Sequence, residues 1–209
     1  MAQQNLTPRE ALDRLIDGNL RYVQNVRSVD SMLSHSHRDL QTQRPHTIVL
    51  GCSDSRAPAE VVFDQGLGDL FVIRVAGNVV ASSQVGSVEF AAERFGTRLV
   101  VVMGHTGCGA IDATIEAITS QAGPVSRGLM SIVDRVRPSI ESLAATNLAS
   151  DPERLRREAI RANVRVSVNQ LRHSSQTLER MVERGDLAVV GAELDVATGA
   201  VAFFTGLPE

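Results

Sequence analysis

Apolar and polar positions follow two rhythms along the chain. Between Thr7 and Val23 the rhythm is helical: Leu12, Leu15, Ile16, Leu20 and Val23 recur at spacings of three and four and define one apolar stripe. Thr7-Pro8-Arg9-Glu10 supplies the start signal, with Thr7 at the N-cap, Pro8 in the first helical position and Glu10 placed to close a capping box. Further on, short continuous apolar runs take over. Thr47-Ile48-Val49-Leu50 ending at Gly51, Leu70-Phe71-Val72-Ile73, and Leu99-Val100-Val101-Val102-Met103 ending at Gly104 have no polar face and predict strands buried on both sides. Between them Pro58 opens a short helix through Phe63. Ser83 to Phe95 predicts a longer one that turns Val85, Val88, Phe90, Ala91 and Ala92 toward the core and stops at Gly96.

Residues 108–121, 127–145 and 151–183 continue as helices, split by Gly123-Pro124 and by Ser150-Asp151-Pro152. Leu187 to Ala192 and Ala200 to Phe204 then flank Thr198-Gly199, a strand, a turn and a closing edge strand. Residues 27–45 are polar and punctuated by Ser, with a short helix expected near Arg38 to Thr42. The expectation is a single α/β domain over 1–209, with an N-terminal helical arm over 1–45 and an α/β core over 46–209. Its central sheet is mostly parallel, flanked by helices, and carries a C-terminal edge strand.

Composition narrows the function classes. Lys and Arg number 21 against 24 Asp and Glu, a near balance that favours neither a nucleic-acid binder nor a polyanion. Arg154, Arg156, Arg157, Arg161 and Arg165 do gather, but Asp151, Glu153 and Glu158 alternate with them, so a solvated helix face is expected rather than a phosphate site. The segment Met1 to Thr7 is polar and has no apolar h-region, and no stretch approaches a membrane span, so a cytoplasmic protein without a membrane partner is expected. In a reducing cytosol the two cysteines are free thiols or metal ligands rather than a disulfide.

Both cysteines lie in Gly-flanked loops that directly follow apolar strands: Gly51-Cys52-Ser53-Asp54-Ser55-Arg56 and Gly104-His105-Thr106-Gly107-Cys108-Gly109. Ligands of open α/β sheets collect at the carboxyl ends of strands where strand order reverses. An order beginning 2-1-3 makes the first and third strands neighbours there, and brings Cys52 toward His105. Two thiolates and an imidazole suit zinc. The set is one protein ligand short of a closed structural site, and catalytic zinc keeps the fourth position for water. Asp54 either takes that position itself or accepts a hydrogen bond from the water, and Arg56 can hold its carboxylate by a bidentate fork. Taken singly, these residues have plainer readings. A Cys in a βα loop is often a small buried hydrophobe, Asp54 with Arg56 can be a loop-fixing ion pair, and the glycines can serve tight turns. Their coincidence at the ends of two neighbouring strands favours a metal site.

At these positions the chain resembles the β-carbonic anhydrase family. The C-x-D-x-R signature is met by Cys52 to Arg56 and the H-x-x-C signature by His105 to Cys108, in the family's order and separation. Asp64-Gln65-Gly66, Arg74 to Asn78 and Gly86 to Glu89 are similar to its bacterial members. The resemblance implies a zinc enzyme that reversibly hydrates CO2 to bicarbonate and a proton, through zinc-bound hydroxide oriented by the Asp54–Arg56 dyad. Cys52, His105 and Cys108 would be ligands, with Asp54 bound to zinc in a closed form that opens at higher pH. It further implies substrate contacts from Gln43, commonly across a dimer interface, and from the Gly109 amide. Phe71, Ala76 and Phe90 would line an apolar CO2 pocket. Self-association as a dimer or tetramer is implied too. A regulated subgroup binds bicarbonate with a Trp, an Arg and a Tyr. Arg74 matches that Arg, but Val49 stands at the Trp position and Tyr22 is the sole Tyr, so the resemblance implies an incomplete effector pocket.

His35, His37 and His46 offer imidazoles for proton shuttling, against solvated positions for the first two and a strand-entry position for the third. His173, on an expected surface helix, is read as a bystander. Two other functions stay open: a hydrolase of carbonyl sulfide or carbon disulfide on the same scaffold, and a non-catalytic zinc-binding regulatory protein. Asp54 and Arg56 speak against the second, since a purely structural site does not need them.

Overall fold

The computed structural model describes residues 6–28, 43–119 and 126–208. Its centre is a five-stranded sheet of β1 (Thr47–Gly51), β2 (Leu70–Arg74), β3 (Leu99–His105), β4 (Ala188–Leu194) and β5 (Val201–Thr205). The order is β2-β1-β3-β4-β5, parallel except that β5 runs antiparallel to β4. Around it stand α1 (Pro8–Val23), α2 (Ala59–Val62), α3 (Ser82–Phe95), α4 (Gly109–Thr119), α5 (Arg127–Ala144), α6 (Pro152–His173) and α7 (Gln176–Glu183). The α/β class, the parallel sheet, the 2-1-3 start and the edge strand agree with the sequence reading.

Strand periodicity divides the core in two. Val49, Leu99, Val101 and Met103 face one side and pack with Ala11, Leu12 and Leu15 of α1 and with Val62 and Phe63. Ile48, Leu50, Val100 and Val102 face the other, against Val88, Ala91 and Ala92 of α3 and Val164, Val168 and Leu171 of α6. A third cluster caps the carboxyl end of the sheet, where Cys52 and Cys108 meet Val79, Ile111, Val136, Ile140, Ala159 and Ile160. The expected two-faced burial holds for β1 and β3, in which every residue is buried, but not for β2, which lies at the sheet edge and is fully buried only at Leu70.

Helix α1 opens on the expected capping box, with Thr7 and Glu10 each satisfying the other's backbone amide. Its docked face is rotated from the predicted stripe. Contact runs through Ala11, Leu12, Leu15, Gly18 and Asn19, while Leu20 and Val23 are 53% and 40% exposed. The cause is a close approach: a Cβ at Gly18 would lie 1.9 Å from the Phe63 carbonyl oxygen. Asn19 then pins the helix to two other segments, donating to the carbonyls of Val62 (3.1 Å) and Gly199 (2.8 Å) and accepting from the Val201 amide (2.9 Å).

Other boundaries moved for identifiable reasons. β3 runs on to His105 because its ladder with β4 continues to the pair His105 and Leu194. The predicted helix over 151–183 is broken at Ser174-Ser175, where the Ser175 hydroxyl accepts from the amides of Thr177 and Leu178 and starts α7. Phe90, expected in the core, is 52% exposed, because α3 turns Val88, Ala91 and Ala92 inward and leaves Phe90 edge-on to Phe95. Arg156 is engaged by Asp112 (3.1 Å) and Glu153 (2.7 Å), in keeping with a solvated charged face. The helix expected near Arg38 to Thr42, His35 and His37 lie outside the described residues.

Candidate metal centre

β1 and β3 are adjacent and parallel with Gly51 opposite Met103, so the chain leaves both strands side by side. Cys52 is the first residue past β1, His105 the last of β3, and Cys108 the residue before α4. A tight turn with Gly107 at φ +65° returns the chain between His105 and Cys108, a backbone conformation that favours glycine. The Cys108 carbonyl accepts from the Ile111 and Asp112 amides, which places its thiol at the α4 N-terminus. Cys52, His105 and Cys108 are 5%, 1% and 2% exposed, yet their ligand atoms all lie within 4.8 Å of one another.

Each donor is prepared for a cation. The His105 Nδ1 lies 3.0 Å from the Thr106 carbonyl oxygen, which can only accept, so the ring hydrogen sits on Nδ1 and the Nε2 lone pair is directed inward. Nε2 is buried without a hydrogen-bond partner of standard geometry. The Cys52 thiol is pulled down to about 4, first by the hydrogen bond from Cys108, with help from His105 and the amides of Gly77 and Asp54 and against the opposing effect of burial. Cys108 is pushed up as the donor of that bond and by burial. These opposed shifts favour one thiolate beside one thiol, and a divalent cation bound by both sulfurs would displace the remaining proton. Burial disfavours the charged form of His105, but the neighbouring Cys52 sulfur and the Thr106 carbonyl raise its pKa overall.

Asp54 stands at the rim. Its Oδ1 accepts from Arg56 Nε (3.0 Å) and the Arg56 amide (2.9 Å), and its Oδ2 accepts from Arg56 Nη2 (2.8 Å). Arg56 Nη2 also reaches the Gly107 carbonyl at 3.0 Å and so ties the first loop to the second. The Arg56 hydrogen bonds hold the Asp54 carboxyl well below the usual carboxylate range against a smaller effect of burial. Arg74 grips the same loop from behind, with Nε on the Cys52 carbonyl (3.0 Å) and Nη2 on that of Asp54 (2.5 Å).

A family model described as carbonic anhydrase matches residues 47–201, which contain this whole constellation. The chain belongs to the β-carbonic anhydrase family. A carbonic anhydrase of Mycolicibacterium smegmatis is 39% identical over 199 residues, covering 94% of this chain and 93% of that protein. Carbonic anhydrase 2 of Mycobacterium tuberculosis is 35% identical over 198 residues, covering 93% and 92%. Among solved structures, a tetrameric β-carbonic anhydrase of Sordaria macrospora superposes with a TM-score of 0.71 over 93% of this chain and 97% of that one. At 21% identity, that likeness bears on the fold.

β-Carbonic anhydrases are zinc lyases, and the residues present fit such an ion. Two sulfurs and one imidazole converge, and among the described residues the buried Nε2 has no hydrogen-bond partner of standard geometry. Among the described residues no helix is long and apolar enough to cross a membrane.

The other residues implied by the resemblance fall into two groups. Ala76 and Gly109 lie at the carboxyl end of the sheet: Ala76 precedes Gly77, whose amide donates to the Cys52 sulfur at 3.4 Å, and Gly109 begins α4 directly after Cys108. Gln43, Phe71 and Phe90 lie at the opposite end. Phe71 is in register with Ile48 and its ring meets Phe90 and Phe95, each at 6.1 Å, while Gln43 is exposed beside Gly68 ahead of β1. Within one chain the fold therefore sets these three toward the far end of β1 from Cys52; Phe71, level with Ile48, is about 13 Å away along the strand. Val49 is fully buried in the sheet and Tyr22 packs on Gly199, so neither stands beside Arg74 as a partner for an anion. Sequence reasoning missed the Gly77 amide and the grip of Arg74; the glycine at φ +68° after β2 was the available signal for the first.

Proposed function

We propose that this protein catalyses the reversible hydration of CO2 to bicarbonate and a proton, with Cys52, His105 and Cys108 holding zinc and Asp54 and Arg56 orienting the attacking oxygen. Zinc, when bound, lowers the pKa of water from about 15.7 toward 7 and so makes a nucleophile available near neutral pH. The chain's own residues supply the rest. Asp54, ionised and fixed by the Arg56 fork, is the acceptor that fixes the hydrogen of the nucleophile and turns its lone pair toward carbon. Arg56 cannot lose its proton and keeps that carboxylate charged and still. The Gly109 amide, at the start of α4, steadies negative charge developing on bicarbonate. The observation that carries this reading is the position of the Asp54 carboxylate: Oδ2 is 3.9 Å from His105 Nε2 while both oxygens are held by Arg56. That arrangement supports an open site with the fourth metal position left to water.

Gln43, Phe71 and Phe90 enter the same reading only through assembly. Standing at the far end of β1 from Cys52, they can serve a metal centre only on a second copy; the β-carbonic anhydrase of Sordaria macrospora that shares this fold is tetrameric. A dimer or tetramer whose sites are shared between copies is therefore part of the proposal. The deciding experiment is stopped-flow CO2 hydration on protein of measured zinc content. Rates should scale with zinc and rise between roughly pH 6.5 and 9, where zinc-activated water titrates. Fully zinc-loaded protein with no hydration activity would exclude the reading.

A further inference from the structure

The core-facing stripe of α6 carries Leu155, Ala159, Ile160, Val164, Val168 and Leu171, all buried, and two polar residues interrupt it. Asn163 and Ser167 are each 2% exposed. Four residues apart, they share one helix face. They donate to consecutive carbonyls of the turn after β2: Asn163 Nδ2 to Gly77 at 2.8 Å and Ser167 Oγ to Asn78 at 3.1 Å. The same turn presents the Gly77 amide to the Cys52 sulfur at 3.4 Å.

The turn needs such holding. Gly77 and Asn78 both have positive φ, +68° and +45°. From the other side α4 and α5 press on it: a Cβ at Gly77 would lie 3.0 Å from the Ala110 Cβ and 3.4 Å from Val136 Cγ2. Burying an amide and a hydroxyl in an apolar stripe costs stability unless each is hydrogen-bonded, and apolar residues would fill the space without that demand. The polarity of these two positions is accounted for by what they hold.

We propose that Asn163 is a positioning residue of the metal centre, which with Ser167 fixes the 76–78 turn so that the Gly77 N–H points at the Cys52 sulfur. This rests on Cys52, His105 and Cys108 being the zinc ligands. An N–H directed at a thiolate draws charge from it and restrains its direction, so the relay sets how strongly Cys52 donates to the metal and how firmly it is held. Outer partners of metal ligands commonly act in this way.

The test uses the full chain loaded with cobalt(II) in place of zinc, comparing wild type with Asn163→Leu and Ser167→Ala. In wild type, a thiolate-to-cobalt charge-transfer band should report the sulfur ligands; its absence would overturn the ligand assignment itself and the relay with it. In Asn163→Leu the band should move to lower energy as the sulfur becomes the stronger donor. Metal affinity, measured by chelator competition, should fall about ten- to hundredfold. Ser167→Ala should move both in the same direction by less. The rise in Tm on adding zinc should shrink in both variants, whereas a purely structural role would lower metal-free and zinc-bound Tm together. Folded variants with the wild-type band and affinity would overturn the proposal. If Asn163→Leu does not fold, the band in Ser167→Ala decides, a shift supporting the relay and no shift overturning it.

Discussion

Asp54 Oδ2 and His105 Nε2 stand 3.9 Å apart, close enough to address one bound species and too far for a hydrogen bond between them. The carboxylate is kept from closing that gap by Arg56, which engages both of its oxygens. Under the proposed function the pair divides the labour of the site: the imidazole with the two sulfurs would hold the metal, and the carboxylate would aim the nucleophile.

Removing the aim without removing the holder should separate the two roles. Asp54→Asn is expected to keep a full complement of zinc while CO2 hydration falls by about a hundredfold or more, the scale of a misplaced proton acceptor. Because Arg56 keeps Asp54 ionised far below neutrality, Asp54 itself should add no titration to the wild-type profile between pH 6.5 and 9. Metal analysis beside stopped-flow rates checks this, and wild-type turnover in the variant would exclude the role.

Removing a holder has a different signature. Cys108→Ser is expected to lose zinc and nearly all activity, and its Tm should no longer respond to added zinc. Wild-type protein stripped by a strong chelator should melt lower and recover on zinc addition, since an ion bound only by the folded state stabilises it by mass action. A metal-free, fully active protein would contradict the assignment.

The docking of α1 can be tested by contrasting two glycines. Gly18→Ala should cost about 1–3 kcal/mol, because its Cβ would sit 1.9 Å from the Phe63 carbonyl oxygen and the helix must move away. Gly128→Ala, where nothing lies within 4 Å of an added Cβ, should stay within about 0.5 kcal/mol of wild type. Denaturant titrations of both variants measure the difference.

The cap of the same helix predicts a pH dependence. Hydrogen bonds from the Thr7 amide and hydroxyl lower the Glu10 pKa from its ordinary 4.5. A group whose folded pKa is depressed stabilises the fold above its unfolded pKa and loses that contribution as pH falls through the folded one. The Tm gap between wild type and Glu10→Ala should accordingly be full at pH 7 and narrow below about pH 4. A gap independent of pH would count against the cap.

Much of this was legible in the residues themselves. Runs such as Ile48-Val49-Leu50 and Val100 to Met103 have no polar face, which allows little except a strand between two helical layers. Cys52 and His105 fell at the ends of such runs, where parallel neighbours diverge. What stayed hidden depended on orientation and on distant partners. Leu20 and Val23 fit the helical period, but the close approach at Gly18 decided which face docks. Ser174-Ser175 has no Gly or Pro, and only the hydroxyl of Ser175 turning onto α7 broke the helix. Nothing in the sequence singles out Asn163 on its charged helix, because its partner Gly77 lies 86 residues away.

His105 differs from its two companions in one further way. It belongs to the hydrogen-bonded ladder of β3 and β4, opposite Leu194, and the next amide, that of Thr106, continues the bonding to the Leu194 carbonyl. Cys52 and Cys108 lie just beyond the regular elements. The sheet thus fixes the backbone that carries the imidazole, whereas each sulfur hangs from a loop that can shift. Capture and release of the ion should therefore begin and end at the cysteines, with the histidine as the fixed post, and amide exchange in metal-free protein should stay slow at Thr106, bonded to the Leu194 carbonyl, while quickening around Asp54 and Gly107.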